Sequence, residues 1–230
     1  MKIRLVVLDM AGTTVRDDDA VNICLRGALE GGRVEVSRDE VNAVMGMPKP
    51  VAIRTLVEGK RNDGTPAPQS LIDAIYDDFG ARMLRYYRTD PGVRPMPHAV
   101  EVLREIRAAG VKIALDTGFS RPIADAILER LGWTEGQLLD ATVTSDEVAR
   151  GRPFPDLIER AMRLTGVAEA KAVAKVGDTP SDLQEGASAG CGLVIGVTNG
   201  THRHDQLAAY PHTHLIASLQ ELPALVLAGR

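Results

Sequence analysis

A regular alternation of short apolar runs with amphipathic helical patterns constrains this chain more than any other feature. Ile3–Leu8, Val111–Leu115, Ala172–Val176 and Gly192–Val197 are dominated by Val, Ile, Leu and Ala, and each leads into a turn and then a helix-like stretch. Strands apolar on both faces must be covered on both faces, and successive strands joined through helices pair in parallel. The expected fold class is therefore α/β, with a parallel sheet between two helical layers. Leu139–Val143 and Thr213–Ile216 are weaker strand candidates. The spacing of Val100, Leu103 and Ile106 predicts a helix over Pro97–Ala109, stopped by Gly110.

Residues 17–90 break the alternation. Ser37 and Glu40 form a capping-box pattern ahead of a helix ending near Met45. Ile72, Ile75, Phe79, Met83 and Tyr86 recur at helical spacing through 71–88, and RNDGTPAPQ (61–69) is a polar, proline-bearing loop. No strand pattern appears there. The expected organisation is an α/β body from residues 1–14 and 92–230, with a helical insert over residues 15–91.

At 230 residues and 44% hydrophobic, the chain is long enough for a sizeable core. The net charge is -4 with scattered basic residues, which gives no electrostatic footprint for nucleic acid or an anionic membrane. Cys24 and Cys191 are far apart and are expected to be reduced thiols. The apolar run LVVL before Asp9 is too short for a signal segment or a membrane span, so a cytoplasmic protein is expected.

Ligands of open parallel sheets bind beyond the carboxyl ends of the strands. Here those ends carry Asp9, then Asp116-Thr117-Gly118, then KVGDTPSD with Asp178 and Asp182; Arg152 lies in the loop GRPFPD. Thr179 and Pro180 suit the N-cap and first turn of a helix. Aspartate and glycine are ordinary turn residues singly. Together they supply hard oxygen ligands for Mg²⁺ in Asp9, Asp178 and Asp182, and a candidate nucleophile in Asp9. Thr117, the Gly118 amide and Arg152 supply donors and positive charge for phosphoryl oxygens.

The motifs DMAGTT, LDTG, GRPFP and VGDTPSD resemble the four motifs of the haloacid dehalogenase superfamily, over nearly the whole chain. The resemblance implies a Rossmann-like three-layer core with a C1 cap inserted after the first strand. It implies an Mg²⁺-dependent hydrolase with Asp9 as nucleophile and Thr117 and Arg152 on phosphoryl oxygens. The metal would be held by Asp9, Asp178 and the Ala11 carbonyl, with Asp182 supporting it; the Gly12-Thr13 turn and Gly118 would bind substrate. Most phosphatases of the superfamily carry a second aspartate where Ala11 stands. Such a general acid–base group is worth roughly 10²–10⁴ in rate, about 3–5 kcal/mol.

The sequence D-x-A-G-T-T resembles the phosphonatase branch, which cleaves a carbon–phosphorus bond through a cap-lysine Schiff base. MGMPKPVAIR (45–54) places Lys49 at that lysine. Pro50 is expected to hold Lys49 on a loop outside the following helix, where Arg54 would bind substrate and disfavour protonation of the amine. Three positions depart from the branch: Ala52 for a histidine, Met10 for an aromatic residue and Asp19 for a cysteine. The leading expectation is thus a phosphonatase-like hydrolase acting on phosphonoacetaldehyde or a related small phosphonate. A phosphatase of a small phosphomonoester or acyl phosphate, and a non-catalytic phosphoryl-ligand sensor, stay open. Caps of related proteins often carry dimer contacts, so a homodimer is compatible. The histidines of HRH (202–204) and HTH (212–214) read as surface residues, Thr198-Asn199-Gly200 as a plain turn, with the pocket rim as the alternative, and Trp133 as packing.

Overall fold

The computed structural model describes residues 2–61 and 64–228. Positions 62–63 of the expected 61–69 loop lie outside them. The first strand, β1 (Leu5–Asp9), is followed by four helices, α1 (Ala20–Gly31), α2 (Arg38–Ala43), α3 (Lys49–Gly59) and α4 (Gln69–Thr89). Then come α5 (Ala99–Ala108), β2 (Lys112–Thr117), α6 (Arg121–Leu131), β3 (Ala141–Thr144) and α7 (Asp156–Thr165). The chain continues through β4 (Val173–Gly177), α8 (Pro180–Ser188), β5 (Leu193–Val197) and β6 (His214–Ile216). All strand pairs are parallel, in the order β3-β2-β1-β4-β5-β6. This is the doubly wound Rossmann order, in which the connections diverge beside β1 and leave a crevice at its carboxyl end.

The two faces of the sheet bury different residues of the same strands. Val6 and Leu8 of β1 and Ile113 and Leu115 of β2 belong to one apolar core, which continues into the helical insert through Phe79, Met83 and Tyr87. Leu5, Val7 and Ala114 face the other core, completed by Leu157 and Ile158 of α7 and Leu183 of α8. The insert and the α/β body therefore share one apolar core on the first face. Where the chain leaves for the insert and where it returns, Val15 and Pro95 pair as an antiparallel bridge. Among the described residues, positions 17–90 contain helices and no strand.

The predicted strands are all present, but β1, β2 and β4 run further toward their carboxyl ends than the apolar runs do. Asp9, Asp116 and Thr117 stay in the ladder. Backbone pairing does not require an apolar side chain, so hydropathy ends a strand too early where it carries chemistry. The stripe of α4 ends on buried Tyr87, not on half-buried Tyr86, because four residues after Met83 returns to the same face. Ser37 and Glu40 do close a capping box on α2, and Trp133 is buried. No helix among the described residues is long and apolar enough to cross a membrane.

Candidate active site

The site begins with a tight turn after β1. The Met10 carbonyl accepts from the amides of Thr14 and Val15 at 2.9 and 2.8 Å, and the Thr14 hydroxyl donates to the Asp9 carbonyl at 2.9 Å. Gly12 has φ of +93°, and a Cβ there would come within 2.3 Å of Asp178 Oδ2. Glycine is required both by the left-handed backbone and by the close approach. Thr13 donates to Asp178 Oδ1 at 2.9 Å, so Gly12 and Thr13 lie against Asp178.

Asp178 follows β4, and the Thr201 amide donates to its Oδ2 at 2.6 Å. Thr179 then caps α8: its hydroxyl donates to Asp182 Oδ2 at 2.6 Å, while its amide donates to the same oxygen at 3.2 Å. Asp9, Asp178 and Asp182 are buried, with carboxylate oxygens within 4.8 Å of one another. Burial pushes Asp178 up to about 6, reinforced by Asp182. Burial also raises Asp9 well above the usual carboxylate range; Arg152 opposes this, while Asp182 and Asp178 add to it.

Beneath this group lies a buried ion lattice. Arg152, in the loop before α7, donates through Nη1 to Asp9 at 2.7 Å and through Nε to Glu185 at 3.0 Å, and its Nη2 engages Asp116. The reason is register: Asp9 and Asp116 are direct partners on adjacent parallel strands, and one planar guanidinium spans the two carboxylates. Lys175 of β4 donates to Asp116 at 2.5 Å and pairs with Glu185 at 2.9 Å and Asp182 at 3.2 Å. Burial alone would lower this amine, but Asp116, Glu185 and Asp182 together raise it above its ordinary value. Asp116, Asp182 and Glu185 also lie close together, but Arg152 and Lys175 already occupy them as fixed cations, so this trio is not a free metal site.

Charge balance tests whether the site fits a cation. Among the described residues, the buried charged groups are five carboxylates (Asp9, Asp116, Asp178, Asp182 and Glu185) and three cations (Lys49, Arg152 and Lys175). Burial and mutual repulsion raise Asp9 and Asp178, a cost that a divalent cation would relieve, and the hard oxygen set of Asp9, Asp178 and Asp182 suits Mg²⁺.

Lys49 is the third cation. It is the first residue of α3, with Pro48 at the N-cap and Pro50 in the first turn. This corrects the expected loop position: a proline in the first turn removes an N–H that has no intrahelical partner anyway. Lys49 is only 3% exposed, and its Nζ lies 5.6 Å from the Phe119 ring centroid and 5.9 Å from that of Phe79. No hydrogen bond or ion pair reaches its amine among the described residues. Burial lowers the amine to about 8, assisted by Arg152 and opposed by Asp9 and Asp17.

These groups meet in one cleft, lined among others by Asp9, Ala11, Lys49, Thr117, Gly118 and Arg152. The loop before α3 forms its roof. A Cβ on Gly46 would strike Thr179 Oγ1 at 2.3 Å, and one on Gly118 would meet the Met47 carbonyl at 3.0 Å. Arg54 is not in the cleft. It points along α3 to Glu58 at 3.3 Å and also engages Gln69, and Arg152 is the arginine that depresses Lys49.

Sequence reasoning missed Lys175, Glu185, Thr201, Asp17 and Phe119. A lysine inside an apolar strand was the available signal for the ion lattice, because it cannot stay charged there without acids around it. Among the histidines, His202 is buried, His212 and His214 hydrogen-bond locally, and none joins an acidic or cysteine cluster among the described residues.

A buried strand-end carboxylate, a clustered acidic set and a fixed guanidinium thus sit together on a doubly wound sheet. A family model for haloacid dehalogenase-like hydrolases matches residues 3–190, and the chain belongs to this family. It is 32% identical over 209 residues to phosphonoacetaldehyde hydrolase of Lysinibacillus sphaericus, covering 85% of this chain and 76% of that one. It is 26% identical to the enzyme of that name from Bacteroides fragilis, covering 98% and 96%. The fold matches a phosphonoacetaldehyde hydrolase-like protein of Oleispira antarctica with TM-score 0.86, 22% identity and coverage of 99% and 92%. It also matches a phosphoglycolate phosphatase, so described by sequence, from Haemophilus somnus, with TM-score 0.80, 19% identity and coverage of 98% of each chain.

Proposed function

We propose that this hydrolase cleaves the carbon–phosphorus bond of phosphonoacetaldehyde or a closely related small aldehyde phosphonate, using an imine on Lys49 and an aspartyl-phosphate on Asp9. The observation that carries the proposal is Lys49 itself, a buried lysine with no anionic partner among the described residues, in the same cleft as Asp9 and held near pKa 8. Such an amine has an appreciable neutral fraction at physiological pH, as attack on a carbonyl requires. The names of the curated relatives agree with this chemistry.

In the proposed reaction neutral Lys49 adds to the aldehyde and water leaves, giving a protonated imine. An oxygen of Asp9 attacks phosphorus, and the carbon–phosphorus electron pair moves into the imine, forming an enamine. A proton from solvent water adds to the enamine carbon, and hydrolysis of the resulting imine releases acetaldehyde and Lys49. Water then cleaves the aspartyl-phosphate to phosphate and Asp9. The carbon leaving group takes its proton after bond cleavage, so no acid is needed at Ala11 to protonate a leaving oxygen. Thr117, the Gly118 amide and the Gly12-Thr13 turn would orient the phosphonate oxygens, and Arg152 would hold Asp9 in line for attack. Mg²⁺, held by Asp9, Asp178, Asp182 and the Ala11 carbonyl, would offset the charge shared by the phosphonate and the carboxylates. Residues 15–91 would act as the cap, presenting Lys49 to the body.

The test is phosphate release from phosphonoacetaldehyde with Mg²⁺, beside Lys49→Ala and Ala11→Asp. Release that disappears in Lys49→Ala, and does not rise in Ala11→Asp, is expected. No release from the folded wild-type protein, with Ala11→Asp raising hydrolysis of a phosphomonoester, would instead make it a phosphatase.

A further inference from the structure

We infer that Asp17 is the proton carrier for imine formation and hydrolysis at Lys49, an inference that rests on the imine reading above. The ionisable groups lining the cleft are Asp9, Asp17, Lys49 and Arg152. Asp9 is the proposed nucleophile, Lys49 becomes the imine nitrogen, and Arg152 is held by carboxylates on several sides. Ala11 offers no proton. Forming an imine requires an acid to expel water, and hydrolysing it requires a base; Asp17 is the cleft residue left to do both.

Geometry agrees. Asp17 lies just ahead of α1 and accepts from the Val21 amide at 3.1 Å. It lines the same cleft as Lys49 and its charge acts on that amine, yet no ion pair joins the two. On the same side, the Tyr87 hydroxyl is buried without a hydrogen-bond partner, and Asp17 is the charge that acts on it most strongly. Its ring stands edge-on to that of Phe119, 6.0 Å away, and Phe119 lines the Lys49 cleft. The charged or titratable groups acting on Asp17 or acted on by it are Lys49 from α3, Asp19 from its own loop, Cys24 from α1 and Tyr86 and Tyr87 from α4. Burial outweighs these and pushes the carboxyl upward, toward the acid form needed at the start.

The proton movements balance. Nζ of Lys49 bonds to the aldehyde carbon and a proton passes from nitrogen to oxygen, giving a carbinolamine. Asp17 donates its proton to that hydroxyl, the carbon–oxygen bond breaks, water leaves, and the nitrogen lone pair closes the protonated imine. When water later adds to the product imine, the Asp17 carboxylate takes a proton from it and returns to the acid.

The bland role for Asp17 is as an acceptor that fixes the start of α1, and Asp17→Asn retains that acceptor. The experiment incubates the full chain and Mg²⁺ with acetaldehyde and cyanoborohydride, and follows reductive ethylation of Lys49 by mass spectrometry. Turnover and melting temperature are measured in parallel. In Asp17→Asn, labelling is expected to slow at least about tenfold and kcat to fall about 10²-fold, with melting unchanged. Labelling and kcat within about twofold of wild type would overturn the inference and leave Asp17 as a helix cap. If wild type does not label at Lys49, the imine reading fails and Asp17 loses this role with it. Should Asp17→Asn melt early, Asp17→Glu decides: faster labelling than in the Asn variant supports proton transfer, and labelling no better overturns it.

Discussion

Lys49 and Lys175 are both buried, yet their surroundings drive them in opposite directions. Lys175 touches Asp116, Asp182 and Glu185, whose charges outweigh its desolvation and keep it a cation. Lys49 meets two aromatic rings and, among the described residues, no carboxylate within ion-pair reach, so desolvation prevails and its amine falls to about 8. A buried lysine is thus a structural counter-ion or a nucleophile according to what replaces its water. The first holds the acids beneath the site, and the second is the amine the proposed reaction uses.

The strongest way to break this contrast is to exchange the consequences. Lys49→Ala is expected to reduce phosphonoacetaldehyde turnover by about 10⁴-fold, about 5.5 kcal/mol of barrier, while its circular dichroism stays that of wild type. A loss below tenfold in phosphate release would reduce Lys49 to a binding residue. Lys175→Met should act on the fold instead. Three buried carboxylates lose a cation, and removing one partner of such a cluster costs about 3–5 kcal/mol, a fall of roughly 10 °C in Tm for a chain of this size. Unchanged melting would mean that Arg152 alone balances the acids.

Lys49→Met sharpens the comparison because its expected sign is opposite. The folded amine loses its proton near pH 8, the unfolded one near its ordinary value of 10.5. Between these values the unfolded state binds more protons, so the native lysine gains stability as pH rises. Below pH 8 its full cost, about 3 kcal/mol, is present. Lys49→Met is therefore expected to melt higher than wild type at pH 7, with the difference shrinking toward pH 10. A variant that melts lower at pH 7 would show that an unrecognised partner stabilises the ammonium. The smallest effect belongs to Arg54→Ala. Its pair with Glu58 is about one-third exposed on each side and lies outside the cleft. Turnover should stay within about twofold and stability within about 0.5 kcal/mol, the usual worth of such a helix pair.

How far the two lysines were legible in sequence follows from the kind of signal each leaves. The parallel sheet was readable because buried strands are apolar throughout, and Asp9 and Asp178 stood out where those runs end in turns. The turn at Gly12 was readable, but its close approach to Asp178 was not, because Asp178 lies on a distant strand end. Lys49 was found by motif, but its helical position was not, because proline before and after it reads equally as a turn or as a helix start. Lys175 sits inside β4, and Glu185 lies three residues after Asp182 on α8, where helical spacing brings it back to the same side. Only the packing of α8 on β4 joins them. Asp17, Phe119 and Tyr87 reach the Lys49 pocket from three separate elements, which no local pattern encodes.

The central claim is that Lys49, among six lysines in the chain, is the reactive one. The most direct measurement is borohydride reduction during turnover of phosphonoacetaldehyde at pH 8 with Mg²⁺, followed by peptide mapping. The expected result is a single two-carbon adduct on the peptide carrying Lys49, with Lys175 unmodified. Active enzyme that yields no adduct, or an adduct on another lysine, would contradict it.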